Sequence, residues 1–135
     1  MRARAELVRV VEERAGGRCE YCRMHQALQG ATFHLEHVLP SSRGGDTNLA
    51  NLAWACPGCN FHKADRVEVL DPTSGLLVPL FNPRSDVWRD HFRFHGYEVS
   101  GLSALGRATV LALDLNHPRR LLIRQAEETF ELFPL

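Results

Sequence analysis

Four cysteines fall in two close pairs, Cys19-x2-Cys22 and Cys56-x2-Cys59, with 33 residues between the pairs. Four thiolates complete a tetrahedral zinc site with nothing left over. If the pairs share one ion, the metal clamps the base of everything between them, and the chain must fold as a loop returning to its start. A histidine stands three residues after each pair, at His25 and His62. Two separate three-ligand sites would each lack a fourth partner, so one four-cysteine site is the better reading. A pair of redox motifs would need an accompanying parallel sheet, which the pattern lacks. Thiols kept for a metal fit a reducing compartment, and a cytoplasmic location is expected.

The inserted unit has its own pattern. Thr32 to Leu39 alternates Phe33, Leu35, His37 and Leu39 with Thr32, His34, Glu36 and Val38, which predicts a strand closed by Pro40. Ser41 to Asn48 is a polar loop containing Gly44-Gly45, and Asn51 to Ala55 reads as a short return strand. After Cys56-Pro-Gly-Cys59 a helix is expected from Asn60 to about Arg66. In order and approximate spacing, Glu36-His37 before a proline, Gly44-Gly45, Asn51-Leu52 and Cys56 to Asn60 resemble the HNH endonuclease family in its zinc-stapled form. The resemblance covers about Cys19 to Lys63, a third of the chain. It implies an α+β fold built on a ββα-metal motif, with asparagine where many members carry the last histidine.

Phosphodiester hydrolysis requires a base to deprotonate water and positive charge to offset the growing negative charge on phosphate and leaving oxygen. The resemblance implies His37 as general base and Asn51 as the residue that orients it and its loop. Glu36, Asn60 and, more weakly, His62 are implied ligands of a catalytic Mg2+ or Mn2+, since such hard cations favour carboxylate and amide oxygens. Adjacent strand residues project to opposite faces, so Glu36 and His37 would share a site only at a strand end that bends. Arg43, Lys63 and Arg66 are the nearest basic residues and candidates for nucleic-acid contact. DNA is the expected partner.

Sixteen basic residues balance sixteen acidic ones. Bulk attraction to nucleic acid is therefore excluded, and only local patches remain available. The longest apolar run, Leu76 to Phe81, contains Pro79 and is far short of the roughly 20 residues a spanning helix needs. The N-terminus lacks the uninterrupted apolar stretch of a signal peptide. An amphipathic helix is expected from Arg2 to Ala15, stopped at Gly16-Gly17, and a short helical piece from Arg23 to Gln29. Beyond Arg66 the pattern predicts a hairpin around Asp71 to Gly75 and a helix capped at Ser85 or Asp86 through Phe92. A weak strand at Tyr97 to Leu102 and helices after Ser103 and from Pro118 follow. Leu105, Ala108, Leu111, Ala112 and Leu115 should line one buried side, and Trp88, Phe92 and Phe94 are expected in the core, the alternative being a DNA-stacking surface. The chain reads as one domain, 1–135, with a core motif at 19–66 and a scaffold extension at 67–135. The competing function is a zinc module without catalysis that binds nucleic acid or a protein partner.

Overall fold

The computed structural model describes residues 3–135. Helix α1 (Arg4–Ala15) buries Leu7 and Val11 and ends where Gly16 turns left-handed, at φ 64°. The expected helical start at Arg2 lies outside the described residues. The piece expected at Arg23 to Gln29 shrinks to a single 3-10 turn, Gln26–Leu28, capped by the His25 imidazole.

Strands β1 (His34–His37) and β2 (Leu52–Ala55) pair antiparallel, with His37 opposite Leu52 and His34 opposite Ala55. All four residues of β2 are buried. Helix α2 (Pro57–Lys63) follows at once, with Pro57 in its first turn and the Cys56 sulfur accepting the Cys59 N–H at its N-cap. It therefore begins and ends three residues earlier than expected. The β1-β2-α2 order is the ββα unit that the resemblance implied.

The strict alternation expected from Thr32 to Leu39 is only partly kept. Glu36 and Val38 point inward with Phe33, while His34 and Leu39 are exposed and His37 is half-buried. Alternation alone does not say which side is the core, and here a buried partner for Glu36 decided it.

The extension supplies two further hairpins and two helices. β3 (Glu68–Leu70) pairs with β4 (Leu77–Pro79), and β5 (Phe92–His95) pairs with β6 (Glu98–Gly101). The helix expected through Phe92 is one turn only, α3 (Trp88–His91), after which Phe92 opens β5. Helix α4 (Ala104–Ala112) is capped by the Ser103 hydroxyl as expected, and packs on β3, β4 and β6. Leu111 departs from the predicted apolar side and is 64% exposed, because Gly106, Ala108 and Thr109 form the packed face. Helix α5 (Pro118–Thr129) buries Arg120, Arg124 and Glu127, an unusual set for a packed face. Of the three aromatics expected in the core, Phe92 is buried, while Trp88 and Phe94 are half-buried at its edge. No helix among the described residues is long and apolar enough to cross a membrane.

Candidate metal centre and catalytic cavity

Each cysteine pair makes a small amide-to-sulfur turn: Cys22 N–H points at the Cys19 sulfur at 3.5 Å, and Cys59 N–H at the Cys56 sulfur at 3.4 Å. The first pair is fixed to β2 through Glu20, whose N–H donates to the Trp54 carbonyl and whose carboxylate accepts the Trp54 N–H. The four buried sulfurs then lie within 4.8 Å of one another, with Cys22 and Cys56 at 3.7 Å. Zinc–sulfur bonds of about 2.3 Å set tetrahedral sulfur separations of about 3.8 Å, so the cage fits zinc. Burial pushes the Cys19 and Cys59 thiols up, while hydrogen bonds from its cysteine neighbours pull Cys56 down. Four such groups ionise together only around a cation. His25 and His62 stand outside the cage, in line with a single four-cysteine site.

One partner of the cage is invisible to motif reading. Arg120 Nη1, from α5, lies 3.2 Å from the Cys59 sulfur and 4.0 Å from that of Cys56, and Nη2 donates to the Leu113 carbonyl. Gly58 makes room, since a Cβ there would come within 2.7 Å of the guanidinium. Burial alone would lower the Arg120 pKa, but the neighbouring cysteines raise it, so the guanidinium stays charged.

Across α2 from the cage, a cavity of about 180 Å³ is lined by Leu35, Glu36, His37, Pro40, Ser41, Asn60 and Ala64. Three of the sequence candidates, Glu36, His37 and Asn60, thus border one space. His37 Nε2 lies 2.8 Å from the Thr47 hydroxyl. The side-chain amide of Asn60 has no hydrogen-bond partner among the described residues. Asn51 lies beyond the cavity and holds the loop shut. Its Oδ1 accepts the Leu39 N–H at 2.8 Å, and its Nδ2 donates to the carbonyls of Leu39 and Asp46, each at 2.9 Å. Gly45 is required beneath that clamp, because a Cβ would fall 1.7 Å from the Leu39 carbonyl oxygen.

Glu36 is not an open ligand. Its Oε1 lies 2.6 Å from Lys63 Nζ, and its Oε2 accepts the Tyr21 hydroxyl at 2.6 Å. Burial pushes its pKa up against the opposing pull of Lys63 and Tyr21, and burial together with the Glu36 charge keeps the Tyr21 phenol protonated. The expected role of Lys63 in nucleic-acid contact is corrected for the same reason. It is 2% exposed and also donates to the His37 carbonyl at 3.2 Å. Arg66 is turned onto the carbonyls of His62 and Ala112, and Arg43 lies exposed with its Nε on the Asp65 carbonyl. His62 stacks edge-on with Phe61 and does not border the cavity. Thr47, Tyr21 and Arg120 went unnoticed in the sequence, where no spacing marks them.

With Glu36 neutralised by an ammonium group, the remaining side-chain donors in the lining are the Ser41 hydroxyl, the Asn60 amide and the His37 imidazole, none of them a carboxylate. Protein-held Mg2+ is usually anchored by at least one carboxylate. This donor set does not fit a tightly held Mg2+ or Mn2+.

Comparison with known proteins agrees with the motif reading. Residues 19–66 match the HNH endonuclease family. Over 127 residues, 88% of the chain, 27% of positions are identical to the Septu protein PtuB of Bacillus thuringiensis, and the chain spans 47% of that protein's length. No solved structure matches. The matched residues, 19–66, are those of the ββα unit and the thiolate cage that closes its base, and it is the HNH endonuclease family to which this segment is similar.

Proposed function

We propose that this chain hydrolyses DNA phosphodiester bonds at the His37 cavity. The observation that carries the reading is the imidazole itself, half-exposed, bordering a recess shared with Asn60 and anchored on the Thr47 hydroxyl through Nε2. With Nε2–H donating to Thr47, Nδ1 keeps the lone pair a base needs. His37 then takes a proton from water as the water oxygen attacks phosphorus. The P–O bond to the leaving oxygen breaks, and that oxygen collects its proton from solvent. Asn60 offers an amide oxygen or N–H to the phosphate or its waters. Lys63, Glu36 and Tyr21 act at one remove, fixing the end of β1 so that the imidazole keeps its aim. A divalent cation would offset charge on the phosphate, but no step here depends on one held by the protein.

The test is plasmid cleavage by zinc-loaded protein across a Mg2+ and Mn2+ series, beside elemental analysis. His37→Ala is expected to keep its zinc and lose about 10²–10⁴-fold in rate, the usual contribution of a general base. Undiminished cleavage by that variant would remove His37 from the chemistry. The lysine-bound state of Glu36 favours a second reading, a zinc module that binds without cutting. Binding with no cleavage under any divalent ion would establish it.

A further inference from the structure

A second concavity, about 560 Å³, opens between the first cysteine turn and the α3–β5 corner, with Arg18, Arg23, Val87, Trp88, Arg89 and Phe94 in its lining. Leu135 completes the lining, no carboxylate side chain enters it, and of the three cationic residues Arg18 is committed to the carbonyls of Arg23 and Leu132. The Arg23 guanidinium lies 5.6 Å over the Trp88 ring, and Trp88 packs against Phe94 at 5.3 Å with 33° between planes. The indole Nε1 donates to the Tyr21 carbonyl at 2.8 Å, which holds the floor in place. Among the described residues, the guanidinium groups of Arg23 and Arg89 make no hydrogen bond or ion pair with another residue. Arg23 also occupies a left-handed backbone position, φ 67°, that glycine would take without strain. A chain of zero net charge has thus gathered cations over an aromatic floor, Arg23 drawn also toward Glu20 and the first cysteine pair and Arg89 left exposed.

We propose that this groove binds a single-stranded segment of nucleic acid. A guanidinium stacked on indole keeps its N–H edge free for a phosphate, and its outer face can carry a base. Aromatic floor and cationic wall together are what unpaired strands require. A duplex keeps its base faces inside and would meet only the cations. Trp88, Arg89 and Phe94 lie outside residues 19–66, so the matched segment supplies only Arg23 to the groove. Tyr21 joins the two sites, its carbonyl under Trp88 and its hydroxyl on Glu36 beside His37. The inference rests on the nuclease reading for its role, naming the strand form that the substrate offers near the cut.

The experiment uses the full chain, zinc-loaded and carrying His37→Ala so that cleavage is slow on the timescale of the measurement, with a labelled short oligothymidylate followed by anisotropy. Two further substitutions are compared on that background. Arg89→Glu alters an exposed side chain, and Arg23→Gly relaxes the backbone it replaces. Each is expected to weaken binding about tenfold and to flatten the dependence of log K on log salt by about 0.7 per lost phosphate contact. Oligothymidylate should also quench Trp88, while Trp54, 3% exposed, stays silent. Unchanged affinity and salt slope in both variants would overturn the proposal. So would equal loss for a matched duplex, or binding of an acidic peptide in place of the oligonucleotide. Absent cleavage by the unmodified chain alongside variant-sensitive binding would sink the nuclease reading alone. Cleavage with variant-insensitive binding would sink the groove alone.

Discussion

Glu36 and Lys63 meet 2.6 Å apart with almost no exposure, and the chain has no other lysine. Removing one member strands the other as a buried charge. Lys63→Met should therefore cost about 3–5 kcal/mol in denaturant unfolding of the zinc-loaded protein, and adding Glu36→Leu should restore much of it. A loss below about 1 kcal/mol would mean that water reaches the pair. Thr47→Val probes orientation instead. It removes the hydroxyl at Nε2 while nearly keeping the volume, so cleavage should slow about two- to tenfold, the kinetic equivalent of one neutral hydrogen bond, with zinc content and unfolding midpoint unchanged. His37 and Asn60 were legible because the motif marks them. Thr47 and Tyr21 were not, because a hydroxyl that meets its partner across a fold leaves no periodic trace.

Among the elements, the β3–β4 hairpin depends on a single carboxylate. Asp71 is wholly buried, takes the Arg107 guanidinium on both oxygens at 3.1 and 3.0 Å, and accepts the N–H groups of Thr73 and Ser74. The Arg107 hydrogen bonds and these turn contacts hold its carboxyl below the ordinary aspartate range. Its stabilising contribution is complete above the unfolded value of about 3.9 and is withdrawn as pH falls from there toward the depressed native value. Thermal midpoints should therefore drop below about pH 4. Asp71→Asn should be less stable at neutral pH and show a shallower acid loss, checked by melting at several pH values. Turn residues around Asp71 announced this hairpin, and Ser103 and Pro118 announced their helices. Strand β5 was missed because Phe92-Arg93-Phe94-His95 has no turn signal before it, and its strand character comes from pairing with β6.

Across the whole molecule, α5 returns to the cage that the first half builds. Arg120 touches the Cys59 sulfur, Glu127 accepts the His25 N–H at 2.6 Å, and Arg18 reaches the Leu132 carbonyl at 2.7 Å. Metal retention should consequently depend on residues far outside the cysteine motif. Arg120→Gln is expected to lower zinc affinity about 10–100-fold in competition with a chromogenic chelator, as outer-sphere partners commonly do. Stripping the zinc entirely should cost cooperative unfolding in the hairpins as well as the ββα unit, read by heat capacity and hydrogen exchange. Spacing along the chain determined the cage, the ββα order and the glycine-rich loop, because two residues between cysteines and a proline after a strand act over a few bonds. Only the tertiary structure decided which way β1 faces, that Glu36 is neutralised by Lys63, and that Arg120 attends the sulfurs. Those outcomes depend on which buried charge meets which across 27 and 61 residues of separation, and short-range pattern does not encode that.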